Sequence, residues 1–148
     1  MDLRIAITDD LNSEREKLSS AIIAPFSKVG LNVGNIDEYT SGEELLRQFS
    51  AGRYDLIFLD IYMGGMSGVE TAKRIRALDK NVMLVFVTTS NEFASESYAL
   101  NACYYLCKPF QADKVKAMLD RIGSDEIDRM RSVKLPDGQN VILRNVIY

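Results

Sequence analysis

Two stretches of this 148-residue chain leave little choice of architecture. LIFL in DLIFLD (Asp55–Asp60) is apolar at each position, and VMLVFVT (Val82–Thr88) is apolar up to its final threonine. A strand with one wet face alternates apolar and polar residues. A strand without that alternation is covered on both sides, as in parallel sheets sandwiched between helices. A parallel sheet in turn demands crossover connections, usually helical. The rest of the chain must therefore supply helices between strands.

It does so in regular alternation. LRIAIT (Leu3–Thr8) is a β-type run. Asn12 or Ser13 can cap a helix carrying Leu18, Ile22, Ile23 and Phe26, which Pro25 is expected to end or kink. NIDEYT (Asn35–Thr40) is a weaker strand, and SGEELLRQF follows with Ser41 and Glu44 at capping-box spacing. After Asp60, SGVETAKRIRALD places Val69, Ala72 and Ile75 on one helical side. NEFASESYALNA reads as a short helix, CYYLCK (Cys103–Lys108) as a fifth strand, and QADKVKAMLDRIG as a helix with Val115, Met118, Leu119 and Ile122 inward. Five βα units predict an α/β, doubly wound five-stranded parallel sheet with helices on both faces. Its expected strand order is the flavodoxin-like 2-1-3-4-5.

In such sheets ligands bind at the carboxyl ends of the strands. Strand 1 ends in Thr8-Asp9-Asp10, strand 3 in Asp60, strand 4 in Thr88-Thr89, and strand 5 in Lys108-Pro109-Phe110. With strands 1 and 3 adjacent, Asp9, Asp10 and Asp60 converge. Three such carboxylates repel one another, and a divalent cation removes the conflict. All-oxygen donors with room for water point to Mg²⁺. Lys108 adds a second positive charge and Thr88 a hydroxyl donor. The set provides what phosphoryl transfer needs: a carboxylate nucleophile, a metal, an ammonium and a hydroxyl. The chain has no histidine, so proton chemistry by imidazole is excluded. Singly, each residue has a plainer reading. Asp9 could cap a helix, Lys108 could be a solvated strand end, Thr88 a strand-end hydroxyl and Tyr105 a packing aromatic. Together they argue for one site.

The pieces ITDD, FLDIYMGGMSG, VFVTTS and YYLCKPF, in this order and spacing, resemble a response-regulator receiver domain. The resemblance implies an acidic pair at Asp9 and Asp10, a phospho-acceptor at Asp60, a hydroxyl at Thr88 and a lysine at Lys108. It also implies that the backbone carbonyl of Tyr62 holds Mg²⁺ and that Thr88 and Tyr105 act as the switch pair. Strand alternation puts Tyr105 and Lys108 on opposite faces, so Tyr105 can respond to the site without lying in it. Two departures stand out: Gly64 where such loops usually carry proline, and Thr89 where a smaller residue is common. The first should loosen the loop, and the second should restrict access to the acyl phosphate.

The implied function is a phospho-accepting switch of a two-component system, with a sensor histidine kinase as donor. It is not an enzyme in the ordinary sense, but an acceptor that assists its own phosphorylation and dephosphorylation. Phosphorylation is expected to remodel the face formed by helix 4, strand 5 and helix 5, where a homodimer could form and where Phe93, Tyr98 and Leu100 lie. The alternative is a receiver-like protein-interaction module that takes no phosphoryl group. A flavin carrier is disfavoured by Asp9-Asp10 where a phosphate cradle would sit, and a dehalogenase-type phosphatase by Tyr62 where a second aspartate is needed.

Residues 1–123 are expected to form the receiver and 124–132 (SDEIDRMRS) a linker or short helical extension. VKLPDGQNVILRNVIY, over 133–148, carries a hairpin turn signal at Pro136-Asp137-Gly138. It is similar to the opening strands of a LytTR-type DNA-binding domain, so DNA would be reached through the remainder of that domain. A net charge of −3 argues against non-specific nucleic-acid binding by the chain as a whole. Asp2 and Arg4 interrupt any leader pattern, and no apolar run is long enough for a membrane span. Cys103 and Cys107 read as small core residues of a reduced, cytoplasmic protein.

Overall fold

The computed structural model describes residues 2–89, 99–102 and 104–133, the last eleven of these (123–133) by their backbone alone. Five parallel strands form one sheet in the order β2-β1-β3-β4-β5. They are β1 (Asp2–Thr8), β2 (Asn32–Tyr39), β3 (Leu56–Leu59), β4 (Met83–Thr88) and β5 (Tyr104–Cys107). Helices among the described residues include α1 (Asn12–Lys28), α2 (Gly42–Gln48), α3 (Gly68–Leu78) and a C-terminal helix (Ala112–Val133). The expected architecture and strand order are those observed.

Strand alternation divides the core into two layers. Ile5, Ile7, Leu56, Phe58, Val85 and Leu106 face α1 and the C-terminal helix, against Leu18, Ile22, Phe26, Val115 and Met118. Ala6, Ile57, Leu59, Leu84 and Phe86 face α2 and α3, against Leu45, Val69, Ala72 and Ile75. The unbroken apolar runs of β3 and β4 are thus explained: every position faces one layer or the other.

Several local expectations need correction. Neither Asn12 nor Ser13 caps α1. Leu11 is the N-cap and offers no side-chain bond. Asn12 is already inside the helix, and its Oδ1 accepts from the Arg15 guanidinium at 3.0 Å. Pro25 does not end α1, which continues to Lys28, because Phe26 remains fully buried beneath the sheet and holds the last turn. β2 begins at Asn32 rather than Asn35, since Asn32 and Val33 pair with Asp2 and Leu3 before the register shifts. Ser41 does cap α2, its Oγ accepting from Glu44 N–H at 3.1 Å. The Glu44 carboxylate in turn accepts from Thr40 N–H at 2.9 Å, one residue earlier than in a capping box. The C-terminal helix passes through 124–132 without a break, so this segment is helical. Cys107, expected in the core, is exposed at the end of β5. The hairpin signal at 136–138 lies outside the described residues, as do Cys103 and most of NEFASESYALNA, with Phe93 and Tyr98. No helix among the described residues is long and apolar enough to cross a membrane.

Candidate functional site

Three ladders extend one residue past their strands, and each extension delivers a site residue. Asp9 N–H donates to Tyr39 O at 3.1 Å, Asp60 N–H to Thr8 O at 3.0 Å, and Lys108 N–H to Thr88 O at 2.7 Å. The backbone of each is held by the neighbouring strand while its side chain emerges at the sheet edge. This places Asp9 beside Asp60 and brings Lys108 across from β5.

Oxygens of Asp9, Asp10 and Asp60 all lie within 4.8 Å of one another. Asp9 and Asp60 are buried, and Asp10 is exposed. Lys108 Nζ sits between the buried pair, 2.6 Å from Asp9 Oδ2 and 3.2 Å from Asp60 Oδ2, with side-chain exposure of 8%, 7% and 8% for lysine, Asp9 and Asp60. One ammonium against three carboxylates leaves the cluster net negative. Burial pushes the Asp60 carboxyl above its ordinary range; Lys108 opposes this and Asp9 adds to it. Burial alone would lower Lys108, but its hydrogen bond to Asp9 and the charges of Asp60 and Asp9 outweigh that and hold it raised. Excess negative charge on hard oxygen donors, partly open to water through Asp10, fits a Mg²⁺-like cation.

Thr88 Oγ1 is buried and has no hydrogen-bond partner among the described residues. A buried hydroxyl without a partner costs free energy unless something bonds it. Its position at the end of β4, beside the strand that carries Lys108, suits an incoming oxygen. Thr8 Oγ1, at the end of β1, is in the same condition. Tyr105 is half-buried against the layer that holds Phe86, with ring centroids 6.1 Å apart and planes at 52°. It pairs with Phe86 in register, one alternation below Thr88, so ring and hydroxyl share a sheet face.

The loop after Asp60 turns on itself. Tyr62 N–H donates to Asp60 Oδ1 at 3.3 Å, and its side chain is exposed. Gly65 adopts φ +83°, and a Cβ there would meet Glu43 Oε2 at 2.9 Å. That same oxygen accepts from Met66 N–H at 3.2 Å. The loop expected to be loosened at Gly64 is therefore tied to α2 by Glu43. Thr89 lines an open cavity of about 640 Å³ together with Leu11, Glu14, Lys108 and Phe110, so it borders the approach to the cluster.

Besides Glu43, two participants escape sequence reasoning. Arg15 is buried and donates from Nη1 to Asp9 O at 2.6 Å and from Nε to Glu38 Oε1 at 3.0 Å. The signal was its place on the buried stripe of Leu18, Ile22 and Phe26, where an arginine must find partners. Arg15→Ala is expected to reduce unfolding free energy by roughly 1.5–3 kcal/mol, the range for hydrogen bonds to charged groups. Urea denaturation measures this, and an unchanged midpoint would show that these bonds anchor nothing. Glu14 is the other, 3.7 Å from Lys108 Nζ.

The sequence profile described as "Response regulator receiver domain" matches residues 5–120. The chain is 32% identical over 108 residues to the sensory transduction protein LytR of Staphylococcus haemolyticus, covering 70% of this chain and 41% of that one. It is 32% identical over 119 residues to the transcriptional regulatory protein NatR of Bacillus subtilis, covering 80% and 49%. The chain thus spans less than half the length of these curated relatives. Among solved structures it is similar to response regulator protein TrrA of Thermotoga maritima in complex with Mg(2+)-BeF. That match has 36% identity and a TM-score of 0.61, covering 80% of this chain and all of that one.

Proposed function

This chain belongs to the response regulator receiver domain family, and from that premise we propose that Asp60 accepts a phosphoryl group with Mg²⁺ held by Asp9, Asp10, Asp60 and the Tyr62 carbonyl. The observation that carries the reading is the convergence of three carboxylates and one buried ammonium beside an unpartnered threonine hydroxyl. An Asp60 oxygen forms the new O–P bond as the P–N bond of a donor phosphohistidine breaks, and the imidazole leaves with the electron pair. The bound metal would neutralise charge on the phosphoryl oxygens. Lys108 moves its ammonium to the new phosphoryl oxygens, and Thr88 donates its unused hydroxyl to one of them. That movement opens space on the Thr88 face of β4, into which Tyr105 turns, changing the surface around β5 and the helices flanking it.

The partner in this reading is a sensor histidine kinase, and the setting is the cytoplasm. In a longer protein of the LytR and NatR kind, the changed surface would govern dimerisation and a DNA-binding output domain. The chain acts as an acceptor that assists its own phosphorylation and dephosphorylation, not as an enzyme on an independent substrate.

The test is intact mass after incubation with acetyl phosphate, with Mg²⁺ and with chelator, and with beryllofluoride as a stable mimic. A single Mg²⁺-dependent phosphoryl adduct, or beryllofluoride binding where the adduct decays too fast to see, supports the reading. Failure of both, with Mg²⁺ bound, would favour an interaction module instead.

A further inference from the structure

The ammonium of Lys108 and a divalent cation cannot share the same oxygens without strong repulsion. Lys108 Nζ now stands 2.6 Å from Asp9 Oδ2 and 3.2 Å from Asp60 Oδ2, the very carboxylates that would take the metal. For a cation to enter, the ammonium must withdraw from at least one of them. Its side chain is only 8% exposed, so a shift away from the pair is favoured where another acceptor stands along its path. One is at hand: Glu14 Oε1, in the first turn of α1, lies 3.7 Å from Nζ. Its other oxygen is held by Lys17 Nζ at 3.1 Å, which orients the carboxylate with Oε1 toward Lys108. Glu14 is itself only 19% exposed, whereas Lys17 is 66% exposed. Glu14 is also absent from the carboxylates whose oxygens cluster closely enough to ligate one ion.

We propose that Glu14 is a positioning residue for Lys108: it provides a second seat for the ammonium, which shifts toward α1 when a divalent cation occupies the Asp9–Asp10–Asp60 cluster. The inference rests on the metal-binding part of the proposed function. It adds a residue to that site which touches neither metal nor phosphoryl group and acts only through the lysine. Removing the seat leaves Asp9 and Asp60 as the carboxylates that pair with Lys108 among the described residues, so it competes harder with the cation. Lys17 is then a clamp on Glu14 and a weaker contributor, being the most exposed member.

The experiment measures Mg²⁺ affinity by calorimetry for four proteins: wild type, Glu14→Gln, Lys108→Met, and both changes together. Glu14→Gln is expected to weaken Mg²⁺ binding about three- to ten-fold, the scale of a partly buried charge pair. In the Lys108→Met background the same substitution should leave affinity unchanged. If Glu14→Gln has no effect in the wild-type background, the second seat does not exist. If the loss is equal in both backgrounds, Glu14 acts on the cation through its charge directly, and the proposal falls. If it acts only as a first-turn acid on α1, melting temperature drops in both backgrounds while affinity stays put, which also overturns it. Failure of the wild type to bind Mg²⁺ at all would instead refute the proposed function, so the two failures are distinguishable.

Discussion

Asp60→Asn is expected to abolish the phosphoryl adduct and, in metal-free buffer near neutral pH, to melt higher than the parent protein. The loss is complete because an amide oxygen is a poor nucleophile toward phosphorus and no other carboxylate occupies its geometry. The gain in stability follows from the site's electrostatics. Burial and the neighbouring Asp9 charge raise the Asp60 carboxyl above its ordinary value despite Lys108, so keeping it ionised costs folding free energy. The sign is that of a folded-state pKa above the unfolded one. The penalty is fully present above the folded pKa and vanishes below the unfolded one. Asparagine keeps the shape, can still meet Tyr62 N–H with its carbonyl, and leaves the Lys108 ammonium to Asp9 and Glu14. A gain on the order of 1 kcal/mol, about 2–4 °C in Tm for a chain of this size, is expected. The difference should shrink as pH falls through the raised Asp60 pKa, and Mg²⁺ should narrow it by stabilising the parent more than the variant, which keeps Asp9 and Asp10 but loses one carboxylate. Scanning calorimetry of both proteins across pH checks this. An Asn variant that melts lower at neutral pH would mean that Lys108 more than compensates the buried charge.

This exchange of stability for chemistry also explains which parts of the molecule could be read from sequence. The sheet was legible because LIFL and MLVFV admit only two covered faces. The acceptor side of the site was legible because Asp9, Asp10, Asp60, Thr88 and Lys108 stand at strand ends, where four short runs of apolar residues stop. The supporting residues were harder. Arg15, Glu14 and Glu43 act from helices α1 and α2, at spacings set by how those helices cross the sheet edge, and linear sequence does not encode a distance between Glu14 and Lys108. The cap of α1 departs from its sequence pattern for a related reason. Asp9 Oδ1 accepts from Leu11 N–H at 2.9 Å, so the turn into the helix is organised by a site residue, and Asn12 is left to Arg15. The early start of β2 was hidden by Gly34, which does not look like a strand residue: it lies in the register shift after Asn32 and Val33, and a Cβ there would stand 2.9 Å from Asp2 Cβ.

Gly68→Ala is expected to be the most damaging single-methyl change in the acceptor loop. Gly68 opens α3, and its N–H donates to Ile61 O at 2.9 Å, drawing the helix start hard against the end of β3. A Cβ there would stand 2.2 Å from Asp60 O and 2.9 Å from both Asp60 C and Ile61 Cα. All three obstacles are backbone, so no rotamer change relieves them. Either α3 withdraws, opening the layer that holds Val69, Ala72 and Ile75, or the backbone carrying Asp60 shifts away from Thr8 O. Overpacking of this kind costs about 1–3 kcal/mol, and rigid obstacles place it at the upper end. That corresponds to a Tm lower by roughly 6–12 °C, with slower phosphorylation, because reacting groups displaced by a fraction of an ångström lose alignment. Gly64→Ala is the internal control four positions earlier. Nothing lies within 4 Å of its would-be Cβ, and its φ is not in the left-handed region. Alanine there should be neutral or add about 0.4–1 kcal/mol by restricting the unfolded chain. Urea midpoints of the two variants decide the matter. Equal midpoints would mean that the β3–α3 junction yields freely, and that the close seat of Gly68 does not fix the position of Asp60.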